Sequence, residues 1–355
     1  EGFRMCTTFT FQKDQAFVLG QNYDFYYGHG LIVVSPRGLK KHSITKGDAR
    51  RVSWIANYGS VTFTQFGRDI PMSGMNEKGL TIAMMYQDDG RFPAEDDRPE
   101  LNELQWIQYQ LDQYESVEEV LERLEDFRLV KSLYELHYII ADATGRTVLI
   151  DFIDGACHVT EDAECYTFAN TSYPESIAYL KQFEDTPMEN LPDKATSLDR
   201  FTLMHRLVKD IHAQPTIASP VQKGFELLEK VAAKPSSRMQ WAIAGNEAPP
   251  IFTYWSIVFD INNQIIYYRD LQNQEIRSIH LKEFSFHSSA EVLTVTLDND
   301  YIGDISGKFQ PYRTEDNERI VLKSFAPISD IFPPNEQREL INYPDSFERV
   351  PIEGK

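Results

Sequence analysis

Short β-type runs fill the N-terminal third of the chain. Residues 6–11 and 16–22 flank the polar Lys13-Asp14-Gln15, the pattern of a hairpin. Residues 32–35, 52–57, 60–64 and 81–86 continue that character, and Gly74-Met75-Asn76-Glu77-Lys78-Gly79 reads as a polar turn between strands. The period then changes. Residues 102–114 place Leu104, Ile107 and Leu111 on one helical face. Ser116-Val117-Glu118-Glu119 is a capping box opening a second helix, with Val117, Val120, Leu121 and Leu124 as its buried stripe. Strands return at 136–141 and 146–152 around Asp142-Ala143-Thr144-Gly145, and a further hairpin is expected through Cys157 and Cys165 to Asn170. A helix from about Leu198 buries Phe201, Met204, Leu207, Val208 and Ile211, another covers about 224–233, and strands close the pattern at 252–259 and 264–269. Beyond about Leu293 the periodicity gives way to turn residues and proline, as in Phe332-Pro333-Pro334-Asn335. Strands, helices, strands, helices and strands in that order predict an α+β layered domain, not a parallel doubly wound sheet.

Composition narrows the function. The 355 residues are 42% hydrophobic and 25% charged, which fits a globular chain, and the net charge of −19 opposes binding to nucleic acid or anionic lipid. No apolar run approaches the roughly 18 residues of a membrane span. Cys6, Cys157 and Cys165 are too few for a disulfide framework and lack zinc-site spacing. Cys157 and Cys165 could face each other across their hairpin, and two unpaired thiols are the simpler reading. The nucleophile elbow, the phosphate-binding loop, the dinucleotide fingerprint and the zinc-protease motif are all absent. No metal or organic cofactor is implied.

Cys6, at the head of the first strand, is the residue whose chemistry stands out. A cysteine freed at its own N-terminus carries nucleophile and base together, because an α-amine with pKa near 7.7–8.0 can take the thiol proton. That requires removal of Glu1-Gly2-Phe3-Arg4-Met5, read here as a leader or pro-segment. Its Phe3 and Met5 do not fit a signal-peptidase site. From spacing alone a plain buried thiol is the favoured reading of Cys6.

Ordered motifs decide between the two. Met5-Cys6-Thr7-Thr8, Gly20-Gln21-Asn22-Tyr23-Asp24-Phe25, the Gly74–Leu80 turn, Ser116-Val117-Glu118-Glu119-Val120, Asp142-Ala143-Thr144-Gly145, Asn170-Thr171-Ser172, Asp199-Arg200-Phe201 and Tyr267-Tyr268 occur in sequence. The series resembles the choloylglycine hydrolase family of N-terminal-nucleophile (Ntn) hydrolases, which contains bile salt hydrolases and penicillin V acylases. The resemblance spans residues 6–290, leaving 291–355 as a C-terminal extension packed on the domain. It implies an αββα sandwich of two antiparallel sheets flanked by helices. It implies hydrolysis of a linear amide with a hydrophobic or aromatic acyl group. Cys6 matches the nucleophile, Asp24 the carboxylate that orients the amine, Asn170 the side-chain oxyanion donor and Arg200 the active-site arginine. Tyr86 falls at the backbone oxyanion position, where bile salt hydrolases tend to carry Asn and penicillin V acylases Tyr. Tyr23 and Phe66, with Tyr86, are candidates for lining the acyl pocket.

Two departures shape the expected substrate. Gln21 replaces the arginine usual beside the nucleophile, which removes a cation that favours the thiolate. The interval from Asn170 to Arg200 is shorter than in bile salt hydrolases, where it carries a loop used in tetramer assembly; a dimer or a tetramer is left open. Tyr86 and the short interval make penicillin V the leading test substrate, with conjugated bile salts and acyl-homoserine lactones behind it. An inactive precursor or ligand-binding relative is the alternative from a different class. Export to a bacterial periplasm is favoured over the cytoplasm.

Overall fold

The computed structural model describes residues 6–45, 47, 50–194, 196–234, 251–326 and 332–352. The five residues read as a leader lie outside them. The opening runs pair antiparallel as Thr7–Lys13 and Ala16–Phe25, and the connecting turn puts Asp14 at φ 55°. Phe252–Asp260 pairs with the free side of Ala16–Phe25, and Thr167–Phe168 with that of Thr7–Lys13. Ile265–Asp270, Arg277–His280 and Gly303–Asp304 complete a seven-stranded sheet. The second sheet has nine strands. Thr81–Tyr86 lies between Leu136–Ala141 and Pro71–Asn76, flanked outward by Thr147–Ile153 and Ala156–Thr160 on one side and by Ser60–Thr64 and Leu31–Ser35 on the other.

Side-chain alternation along the strands builds the layers. On Ala16–Phe25, Phe17, Leu19, Tyr23 and Phe25 join the main core between the sheets. There Phe63 of the second sheet meets Phe259 and Tyr268 of the first. Val18 points the other way and, with Phe9, Phe11 and Val258, packs under helices Ser197–Ala213 and Pro220–Val231 through Met204, Val208, Phe225 and Leu228. Helix Trp106–Gln113 covers the outer face of the second sheet, where Trp106 stacks on Tyr138 at 4.1 Å. The result is the expected αββα sandwich.

Local expectations differ in four places. The helix predicted over 102–114 begins as strand Glu100–Asn102, paired parallel with Arg128–Val130, and one 3-10 turn; the helix proper starts at Trp106. Gly74 lies inside strand Pro71–Asn76, and the turn is held by Asn76, whose Oδ1 accepts from the N–H groups of Lys78 and Leu80. Cys157 and Cys165 do not share a hairpin. Ala156–Thr160 edges the nine-stranded sheet while Thr167–Phe168 edges the seven-stranded one, so this segment carries the chain between sheets and both thiols are free. The segment after 291 is richer in structure than its composition indicates. Leu293–Thr296 pairs with Leu31–Ser35 inside the nine-stranded sheet, helices Thr314–Phe325 and Pro334–Asn342 follow, and Glu348–Arg349 joins Leu39–His42. Pro333 and Pro334 sit at a helix N-terminus, where a missing N–H costs nothing. Among the described residues no helix is long and apolar enough to cross a membrane.

Candidate active site

Strands Thr7–Lys13 and Ala16–Phe25 of the first sheet, the end of Thr81–Tyr86 in the second, the segment after Thr167–Phe168 and the start of helix Ser197–Ala213 carry or adjoin the residues predicted for the chemistry. Cys6 immediately precedes Thr7–Lys13, is buried, and lies with its Sγ 3.7 Å from the backbone oxygen of Asp24 on the neighbouring strand. The Asp24 carboxyl is 1% exposed. Its Oδ1 accepts from the hydroxyl of Thr253, while Oδ2 has no hydrogen-bond partner among the described residues. Burial pushes this carboxyl up to about 7, against the Thr253 hydrogen bond and the positive charges of Arg200 and Lys194.

Arg200 ties the group together. It sits in the first turn of Ser197–Ala213, whose start is fixed by a Thr196–Asp199 capping box. The guanidinium is 1% exposed and is pulled down by burial, while Asp24 and Cys6 act on it in the opposite direction. Its Nη2 donates to Asn170 Oδ1 at 2.8 Å. A guanidinium has donors only, so this contact sets the orientation of the Asn170 amide. Asn170 Nδ2 then donates to the Tyr86 carbonyl at 2.9 Å, and one N–H of the amide stays available for another acceptor. The Asn170 backbone is held as firmly: its N–H and that of Thr171 donate to Ser197 Oγ at 2.8 and 2.9 Å, and its carbonyl accepts from Asp88 N–H at 2.7 Å.

Tyr86 ends strand Thr81–Tyr86 opposite Leu136. The next residue, Gln87, donates its N–H to the Glu135 carbonyl at 2.9 Å, so antiparallel alternation turns the Tyr86 N–H to the opposite side of the strand. That is the side of the Met84 carbonyl, which accepts from Gln21 Nε2 at 3.0 Å. Gln21 is fully buried between the sheets and its Oε1 has no described partner.

Of the proposed lining residues, Tyr23 and Phe66 are buried within an aromatic wall, while Tyr86 is half-buried in it. Tyr23 stacks on Trp255 with centroids 4.0 Å apart, and Phe66 meets Phe25 edge-on at 5.8 Å; both are almost wholly buried. The half-buried rings beside them are Tyr27, 5.1 Å from Phe25, and Tyr134, 6.0 Å from Tyr86. Sequence reasoning missed Thr253, Ser197 and Tyr134. Each acts through a contact with a distant part of the chain and carries no local signature. Among the described residues no cluster of His, Cys, Asp and Glu could hold a metal ion.

By its family, the chain is a linear amide C–N hydrolase. The pattern of the choloylglycine hydrolase family matches residues 6–294, and the chain belongs to that family. Among its relatives, penicillin V acylase of Pectobacterium atrosepticum is 25% identical over 310 residues, covering 78% of this chain and 81% of the other. The bile salt hydrolase/transferase of Lactiplantibacillus plantarum is 21% identical over 314 residues, covering 78% and 92%. In three dimensions the chain is similar to penicillin V acylase from Agrobacterium tumefaciens, with a TM-score of 0.74 at 22% identity over 87% of this chain and 98% of the other. It is also similar to a variant of conjugated bile acid hydrolase from Clostridium perfringens, with a TM-score of 0.70 at 19% identity over 84% and 98%.

Proposed function

We propose that the protein cleaves a linear amide by nucleophilic attack of Cys6 at a mature N-terminus, with the substrate preference of a penicillin V acylase. One observation carries this reading: the buried Arg200 grips the Asn170 amide and stands within electrostatic reach of both Cys6 and Asp24. Once whatever precedes Cys6 is released, its α-amine can take the thiol proton as Sγ bonds to the substrate carbonyl carbon. The ammonium so formed finds a partner in Asp24 Oδ2. The oxyanion accepts from Asn170 Nδ2 and the Tyr86 N–H. The ammonium then protonates the departing nitrogen as the C–N bond breaks, leaving a thioester. Water attacks that thioester and gives a proton to the amine; as the C–S bond breaks, the ammonium passes that proton to Sγ, which releases the acid and restores the free thiol.

The aromatic rings about Phe25, Tyr27, Tyr86 and Tyr134 suit a flat phenoxyacetyl group, which supports ranking penicillin V ahead of conjugated bile salts and acyl-homoserine lactones. A comparison of kcat/KM across the three substrate types tests the order. Preference for glyco- or tauro-conjugates overturns it. A binding or precursor role is the second reading, favoured by Gln21 at the usual arginine position. A folded chain with a verified Cys6 terminus that binds but does not hydrolyse any of the three would establish that role instead.

A further inference from the structure

We propose that His137 and Asp151 form a proton-sharing brace that positions Asn170, a role that rests on Asn170 serving as the oxyanion donor described above. Both side chains are buried on adjacent strands of the nine-stranded sheet, and they face the first sheet. His137 Nε2 lies 2.9 Å from the Ala169 carbonyl, and Nδ1 lies 3.0 Å from Asp151 Oδ1. Asp151 Oδ2 accepts from the Tyr173 N–H at 3.1 Å, and the His137 ring stacks on Phe168 with centroids 4.2 Å apart.

The proton inventory of this unit is fixed by its partners. A carbonyl only accepts, so Nε2 carries a hydrogen. Nδ1 faces a carboxyl oxygen, and two lone pairs at that distance would repel, so a second proton lies between Nδ1 and Oδ1. The brace therefore holds the chain at 168, 169 and 173, on both sides of Asn170, from the opposite sheet. It also reaches the second donor. His137 adjoins Leu136, which pairs with Tyr86, so one strand references both oxyanion donors to each other. Removing the ring leaves the Asp151 carboxyl and the Ala169 carbonyl buried without this partner, and the turn loosens where sub-ångström placement matters most.

The test compares the wild-type chain with His137→Phe, Asp151→Asn and the double variant His137→Gln/Asp151→Asn. In the double variant the new glutamine amide can donate to the Ala169 carbonyl and accept from the new asparagine amide, whose oxygen still accepts from Tyr173 N–H. Hydrogen exchange over 167–173 is read together with kcat and KM for penicillin V. In His137→Phe, exchange in that segment should rise at least tenfold while the rest of the chain is unchanged. There kcat should fall about tenfold to a hundredfold with KM within about twofold, and the double variant should recover most of both losses. Unchanged exchange in the segment, unchanged kcat despite loosening, or a folded double variant no better than Asp151→Asn would overturn the brace. If His137→Phe does not fold, His137→Gln alone, which sets a carbonyl against the Asp151 carboxylate, takes its place in the comparison. If His137→Phe shows the exchange response while the wild-type chain hydrolyses nothing, the amidase reading fails and the brace stands.

Discussion

Arg200 has hydrogens to give and no lone pair to offer, and from that single fact the Asn170 amide acquires a direction. Its Oδ1 is spent on the guanidinium and its Nδ2 is left to donate. Replacing Asn170 by Ala should therefore lower kcat for penicillin V by about 10²–10³ with little change in KM, which steady-state kinetics will show. Asp24 allows a prediction about pH. Its carboxyl is displaced upward from 3.8 to about 7, so the folded chain holds that proton more tightly than the unfolded one. Its contribution to stability is complete below pH 3.8 and is lost as the pH rises through about 7, a loss of roughly 4 kcal/mol across the interval. In a chain verified to begin at Glu1, with no ammonium at Cys6 to compensate, Asp24→Asn should match the parent in thermal melts near pH 4 and exceed it at pH 7. Parallel melting temperatures across that range would contradict the assignment. At this scale the sequence was legible only through ordered motifs. Asp24 and Asn170 stand in recognisable contexts, whereas Thr253 and Ser197, which restrain them, look like any strand threonine or helix-start serine until the fold brings them close.

The hairpin that carries Cys6 is tight, and its tolerance can be measured. A Cβ at Gly20 would lie 2.3 Å from the tip of the Phe9 ring, which is buried against Phe11 and the helix Ser197–Ala213. Gly20→Ala should cost about 1–3 kcal/mol in chemical denaturation, because the buried Phe9 ring would have to shift to admit the methyl group. Strong local signals were read correctly: the period-two runs of this hairpin, the Asp142–Gly145 turn with Gly145 at φ 92°, and the apolar stripe of Ser197–Ala213. The errors share a cause. The Cys157–Cys165 segment has the polar interruption of a hairpin, yet its two ends are captured by edges of different sheets, a choice made by long-range pairing. Helix Thr314–Phe325 buries Ile320, Val321 and Phe325 on a narrow face amid charged positions, too sparse a stripe to stand out beside the prolines that follow.

For the molecule as a whole, a buried charge cluster lies where the C-terminal segment meets the sandwich. Lys41 Nζ lies 2.5 Å from Asp69 and 2.9 Å from Asp112, and Asp112 also accepts from Trp54 Nε1 at 2.8 Å. Phe347 covers the ammonium at 5.6 Å. Burial alone would lower the lysine, but Asp112 and Asp69 outweigh it and hold its affinity for the proton above the ordinary value. Lys41→Met would leave the Asp112 carboxyl buried without its cation and Asp69 with Arg68 alone, and denaturation should show a loss of about 3–5 kcal/mol. The order of strand and helix runs made an α+β layered domain legible; the four-layer αββα arrangement was legible only through the family resemblance. The catalytic reading reaches further, from Cys6 through Arg200 to Asn170. Its most direct test is the rate of phenoxyacetate release from penicillin V by protein whose N-terminus has been shown by mass to be Cys6, beside Cys6→Ala. The mature chain should turn over and the variant should not. Equal rates in the two, or equal turnover by a chain that still carries residues ahead of Cys6, would contradict the account.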